Sequence, residues 1–408
     1  MDYFERHGVP VRQQLLRQLS GRSPRYWLIA LYVVSAAVVT VQRGVLRFAN
    51  DYAIFRASFW NLLSGRDLYA LHLDQARDLF KYSPTFAALF APLSLLPSSL
   101  GLLIWNVLGA SLLVYAVVRL LPEHKAHLVL LLAYLPMLRN LQSAQSNTLV
   151  TALIILAFVA LERGEQWRGA IAVGIGAAIK IFPLAALSLA IPHRHRLRFA
   201  AYFSATAIAL LALPLLFTSP HLLAGQYHSW ASLETREIHD FGESVMGMAH
   251  VWLGLNWPAG AVQVAGTVLL LLPLGFRRQL WTETPNLRLR FLASVLVYCV
   301  IFNQKAEPQS YVIALTGIAI WYVVSPRSGW HTALLAIALI LTSGLAAVPE
   351  VIKAPLTPLI RRPLPCTVVW LVMQAELFAA LRFAPSGVTS TTRAAVTERE
   401  AAVVPATD

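Results

Sequence analysis

The sequence predicts an all-α, polytopic membrane protein of about ten transmembrane helices, with re-entrant and interfacial helices besides. Three observations lead there. Hydrophobic residues make up 57% of the 408-residue chain and charged residues only 13%, with a mean hydropathy of +0.60, well above that of soluble domains. Apolar runs follow one another without the polar stripe that a surface helix needs. Basic residues gather at the ends of those runs rather than on any folded face.

The runs read as spans are 26–46, 99–120, 127–140, 147–162, 199–218, 257–275, 290–303, 310–324, 331–348 and 364–383. Several fall short of the roughly 20 residues that a perpendicular crossing needs, so their ends extend by a few positions. The first run follows Arg12, Arg17, Arg22 and Arg25. Its apolar core exceeds the roughly 7–15 residues of a secretion signal and lacks a small-residue cleavage site, so it is read as the first helix. Residues 1–25 then form a cytoplasmic segment, 26–383 the membrane domain and 384–408, with APSGVTSTTRAAVTERE, a disordered cytoplasmic tail.

The net charge of +13 does not point to nucleic acid, because the arginines do not interleave with aromatics on a soluble face. They cluster in the N-terminal segment, in His193-Arg194-His195-Arg196-Leu197-Arg198, at Arg277-Arg278 and at Arg288 and Arg290. This bias places both termini in the cytoplasm of a bacterial-type inner membrane. Segments 47–98, 139–147, 219–256, 303–309 and 349–363 then face the periplasm. Cys299 and Cys366 show no metal-type spacing and offer no zinc site; no cofactor is firmly implied, and a divalent-metal requirement is left open by the sequence.

The stretch GAIAVGIGAAIKIFPLAALSLAIPHRHR has basic loops at both ends, which a single crossing would not allow. Pro183 cannot donate to Ile179, so the helix is expected to break near Lys180-Ile181-Phe182-Pro183, in a re-entrant pair with Lys180 at its deep end. One kinked span with Lys180 snorkelling is the alternative. In the first outer loop, 47–98, Ile54, Phe55, Phe59, Leu62 and Leu63 share a helical face ended by Gly65, which reads as an interfacial helix. KYSPTFAALFAPLSLLP reads as a second interfacial or re-entrant helix.

The outer loops carry the reactive groups. Asp51 is placed to accept a proton from a hydroxyl, or to cap the helix it precedes. Lys180, a charge at membrane depth, suits a phosphate oxygen. In FNQKAEPQSY, Lys305 and Glu307 either bind ligand or pair with each other. In QSAQSNTLV, Gln145 and Asn147 bind substrate, or Ser146 or Asn147 caps the next helix. FGESVMGMAH offers Glu243, Ser244 and His250, the last as a proton carrier. Lys353, Arg361 and Arg362 are suited to lipid phosphate.

NDYAIFRASFWNLLSGRDLYAL followed by KYSPTFAALFAPLSLLP resembles the first outer loop of glycosyltransferase family 87, with its early aspartate, its Gly-x-Asp-x-Tyr-like stretch and its Tyr-x-Pro, here beginning at Tyr82. SAQSNTLVTALIILAFVALERGEQWRGAIAVGIGAAIKIFPL resembles the family's next block, a Gln-x-Asn, a glycine-rich helix and a Lys-x-x-Pro. Similar Lys-aromatic-Pro blocks occur in the mannosyltransferases of GPI-anchor synthesis. The resemblance covers roughly residues 45–325. It implies a fold of the glycosyltransferase C superfamily, a polyprenyl-phosphate-linked sugar donor (often mannose), a lipid or glycan acceptor, periplasmic chemistry and a catalytic role for Asp51. Many members carry a Ser-Pro-x-x-Trp-Asp-His-like stretch where this chain has NQKAEPQSY, leaving Glu307 and Gln309 to replace those groups. The reaction so implied is an inverting hexosyl transfer, with Asp51 as base and Lys180, helped by Lys305, on the leaving phosphate; Tyr82, Gln145, Asn147, Glu307, Glu243 and His250 would line the substrate. A lipid or solute transporter is the second reading, but IKIFP has no second copy at a matching position. A structural subunit is the third, and it leaves the acid-bearing outer loops without a purpose.

Overall fold

The structure is a computed structural model that describes residues 24–47, 49–236, 241–326, 328–343 and 363–383. Residues 1–23 of the N-terminal segment, the C-terminal tail, and Lys353, Arg361 and Arg362 lie outside the described residues. In chain order the helices are α1 Pro24–Thr40, α2 Asn50–Leu63, α3 Pro84–Leu89, α4 Ala91–Ser94, α5 Ser98–Leu120, α6 Glu123–Gln142, α7 Asn147–Glu162, α8 Gln166–Ile179, α9 Arg196–Ala212, α10 Pro220–Arg236, α11 Val245–Leu253, α12 Ala259–Leu271, α13 Arg278–Glu283, α14 Pro285–Ile301, α15 Tyr311–Val324, α16 Gly329–Thr342 and α17 Pro363–Phe383. A 3-10 helix, Phe182–Ala190, follows α8. No strand occurs among the described residues.

A helix occupies each of the ten apolar runs. Four of the described helices are long and apolar enough to cross a membrane: Tyr26–Gly44, Ser98–Leu120, Arg196–Leu216 and Pro363–Arg382. Asn147–Glu162, Ala259–Gly275, Pro308–Val324 and Gly329–Thr342 are shorter apolar helices. The chain is an integral membrane protein of all-α architecture. Its core is the pair α14 and α15, whose residues are buried almost all round, as expected of helices without a polar face. They nearly touch at Gly317, where a Cβ would sit 2.7 Å from the Ala293 carbonyl oxygen.

Two faces of the bundle have opposite character. At one, Glu162 at the end of α7 accepts two hydrogen bonds from Arg288 of α14, at 2.6 and 2.7 Å, and lies 3.5 Å from His193. This draws three basic loops together. From there α8 runs to the other face and ends at Lys180, whose backbone is extended (φ −143°, ψ 145°). The 3-10 helix then leads back, since Pro183 stands in its first turn and His193 returns to Glu162. Gly176 lets the return leg pack: its missing Cβ would lie 3.3 Å from the Pro183 Cβ. The hairpin has Lys180 at its tip.

Segment 47–98 is tied down by hydrogen bonds to its neighbours and within itself. Gln226 of α10 accepts from the Leu68 amide and donates to the Arg66 carbonyl. Asn61 and Gln75 exchange two amide hydrogen bonds. The expected face on α2 is corrected at one position. Ile54, Phe55, Phe59 and Leu62 are buried, but Leu63 is exposed. The second helix is corrected too. It is two short helices, α3 and α4, with α3 buried in an aromatic cluster. Phe55 is the centre of that cluster, edge-on to Tyr82, Phe86, Phe90 and Trp105 at centroid distances of 4.8 to 6.0 Å.

Candidate active site

Four segments meet at the face opposite Arg288: the start of α2, the loop before α3, the α6–α7 turn and the hairpin tip. With the 302–310 loop they enclose a cavity of about 180 Å³. Its walls include Asp51, Tyr82, Gln145, Lys180, Lys305 and Glu307. Asp78, Lys81 and Glu234 also reach it, so four carboxylates and three of the chain's five lysines face one cavity.

Gln145 is the centre of the network. Its Nε2 donates to Asp51 Oδ2 at 2.9 Å and to Glu307 Oε2 at 3.1 Å. Its Oε1 accepts from Tyr82 Oη at 3.0 Å and from Lys180 Nζ at 3.4 Å. An amide turned the other way would set its oxygen against two carboxylates, so this orientation is strongly favoured. Lys180 Nζ also donates to Asn147 Oδ1 at 3.0 Å and lies 5.5 Å from the Tyr82 ring centroid.

The capping alternatives fail locally. Helix α2 starts at Asn50, one residue before Asp51, with Ala49 at its cap and no side-chain cap bond. Asn50 Oδ1 accepts instead from the Arg77 amide. Neither Ser146 nor Asn147 caps α7. Asn140 does so from a distance, its Oδ1 accepting from the Thr148 amide and hydroxyl. Asn140 Nδ2 also points to the Gln309 carbonyl at 3.5 Å, which links the turn bearing Gln145 to the loop bearing Glu307.

Other expected residues have different places. Lys305 pairs with Glu234 at 3.0 Å, an acid 71 residues away, and not with Glu307. Glu307 caps the 3-10 turn Pro308–Ser310 besides meeting Gln145. Gln309 does not line the cavity; its Nε2 donates to Ser143 Oγ. Glu243 and His250 do not line it either. The Glu243 backbone pairs with Ala306 and Tyr311, and exposed His250 bonds Asn256 at 2.6 Å. Ser244 caps α11 by accepting from the Gly247 amide. The sequence reading missed Asp78, Lys81, Trp230, Glu234 and Asn303, all on the cavity wall, although an acid between two apolar runs of so acid-poor a chain is a usable signal for Glu234.

Burial, and next the neighbouring Glu307 carboxylate, push the Asp51 carboxyl up to about 6, against the pull of Gln145 and Lys180. A carboxylate with a pKa near neutrality is suited to take up and release a proton.

A second cavity adjoins the first. It is a groove of about 740 Å³ that shares Ile181, Phe182, Glu234, Asn303 and Lys305 with the polar cavity. Beyond them its lining is mainly apolar, from the 3-10 helix on one wall, α12 on the other and Tyr298, Cys299 and Phe302 of α14 and the residue after it.

A family model for glycosyltransferase family 87 matches residues 80–302, more than half of the chain. The chain belongs to glycosyltransferase family 87. Comparison with curated proteins finds no match. Tyr82, Gln145, Asn147 and Lys180 lie inside the matched span, as do Glu243 and His250; Asp51, Lys305 and Glu307 lie outside it. As a family 87 glycosyltransferase it takes a sugar donor and an acceptor as substrates.

Proposed function

We propose that this glycosyltransferase moves a hexose, with mannose the first to test, from a polyprenyl-phosphate donor to a lipid or glycan acceptor at the periplasmic face, with inversion. One observation carries the reading: the polar cavity holding Asp51 and Lys180 adjoins an apolar groove with which it shares wall residues. A donor with a charged head and a prenyl tail matches that pairing. A nucleotide sugar would leave the groove unused. The arginine-bearing loops at Glu162 and Arg288 lie at the opposite face, which supports a periplasmic cavity.

In this mechanism the acceptor hydroxyl gives its proton to Asp51 as its oxygen bonds to the anomeric carbon. The bond from that carbon to the phosphate oxygen breaks, and the electron pair leaves with polyprenyl phosphate. Lys180, with Lys305 at the groove mouth, stabilises the added negative charge. Gln145 holds the Asp51 carboxylate toward the cavity.

The test is transfer by the full chain in lipid nanodiscs, with radiolabelled polyprenyl-phosphate-mannose or nucleotide-mannose as donor and native lipid extract as acceptor. Label passes from the lipid donor alone, and KM rises when its prenyl chain is cut to one unit. Transfer from the nucleotide sugar without any lipid donor overturns the donor assignment.

A pH prediction arises from Glu307. The base form of Asp51 is the charged one, so kcat/KM rises through about pH 6 and levels off above it. Replacing Glu307 by Gln removes a like charge, lowers the Asp51 pKa and moves this limb to more acidic pH. A pH–rate profile of both proteins checks the sign, and a shift toward alkaline pH would count against the coupling.

A further inference from the structure

At the face bearing Glu162, α5, α7 and α8 leave an open groove of about 490 Å³. Its floor is apolar, made by leucine, valine, isoleucine and alanine side chains of α7 and α8. One end is strongly basic: Arg119 closes α5, Arg163 follows α7 and Arg168 opens α8. Only one acid, Glu165, lines the groove, and it pairs with Arg168 at 2.9 Å. Arg119 and Arg163 have no carboxylate partner among the described residues.

Two aromatic side chains fix the depth of this end. Tyr115 and Trp167 are half exposed, and each carries an arginine over its ring, Arg119 at 5.7 Å and Arg168 at 5.1 Å. Exposed Trp and Tyr rings belong at the level of lipid head groups. The arginines therefore stand at the phosphates of this leaflet while the apolar floor runs toward the bilayer centre. We infer that the groove between α5, α7 and α8 binds an anionic diacyl phospholipid, its head group among Arg119, Arg163 and Arg168 and an acyl chain along the floor. Charge complementarity selects the anionic class: three guanidinium groups face one carboxylate, and guanidinium forks suit phosphate oxygens.

The location gives the lipid a consequence for the distant cavity. Helix α7 begins at Asn147 and α8 ends at Lys180, and these two residues are hydrogen-bonded at the far face. A lipid wedged against the other ends of both helices braces the pair that presents Lys180.

Native mass spectrometry of the full chain, delipidated and then titrated with phosphatidylglycerol or phosphatidylcholine, tests the site. Wild type should retain phosphatidylglycerol in preference. With roughly 1 kcal/mol for each basic residue near the surface, the double variant Arg119→Gln/Arg163→Gln should lose about thirtyfold of that preference. Both arginines are exposed, so the variant is expected to fold. Leu156→Trp, which fills the groove and leaves the arginines in place, should weaken retention as well. A control, Arg194→Gln/Arg198→Gln, removes two charges of the same face outside the groove and should leave the preference intact. An unchanged preference in the double variant, or an equal loss in the control, overturns the site.

Discussion

Asp51→Asn should abolish sugar transfer while leaving the protein folded. General-base removal typically costs about 10²–10⁴-fold in rate, and the loss should appear in kcat rather than in donor binding. Asparagine keeps an oxygen for Gln145 Nε2, so the local network survives. Stability should move the other way from activity. The folded state raises the Asp51 pKa to about 6, so it binds that proton more tightly than the unfolded chain does. The ionised carboxylate therefore costs stability above the unfolded pKa, and the cost reaches its full value above pH 6. Removing the charge should raise Tm at pH 7.5 or leave it unchanged. Turnover near the wild-type rate would refute the assignment of Asp51 as base, and an inactive variant with a much lower Tm would show only that the fold had been damaged.

Lys180→Met should lower kcat by about 10²–10³-fold, the range found when one donor to a developing anion is removed. The ammonium now bonds Asn147 and lies against Tyr82. A thioether of similar length fills the space without the charge. Because Lys180 is expected to act on the leaving phosphate, the defect should shrink for a donor with a better leaving group, such as one carrying an electron-withdrawing substituent next to the phosphate. The Asp51→Asn defect should not shrink in that way. Single-turnover rates with both donors separate the two roles, and equal recovery in both variants would refute the division of labour.

Much of the membrane architecture is legible in the sequence because lipid enforces it locally. Each apolar run must satisfy its own backbone hydrogen bonds, so each carries a helix. The hairpin was readable from two local facts, basic residues at both ends and Pro183 in the middle. Long-range choices were hidden. Asn140 caps α7 across a turn, and Lys305 selects Glu234 over the nearby Glu307. Neither follows from spacing, because bundle packing decides which loops meet. Glu243 and His250 sit in a reactive-looking stretch, but that stretch uses its backbone to hold the 302–310 loop. The burial of α3 was hidden for a similar reason: short apolar segments look interfacial until an aromatic partner such as Phe55 is known.

The return leg of the hairpin has a mechanical consequence. A 3-10 helix has three residues per turn, so side chains three apart stand in a straight column, where those of an α-helix wind away. Phe182, Ala185, Ser188 and Ile191 form such a column, and all four line the apolar groove. Small residues at 185 and 188 between larger ones make it a keyway with a flat bed. The tail of the proposed prenyl-linked donor would move straight along such a keyway. In the proposed reaction the phosphate of such a donor would come to Lys305 and Lys180 along one line. In that transfer the anomer of the product is set by the in-line displacement itself, and the guide sets only the line along which a lipid-linked donor enters.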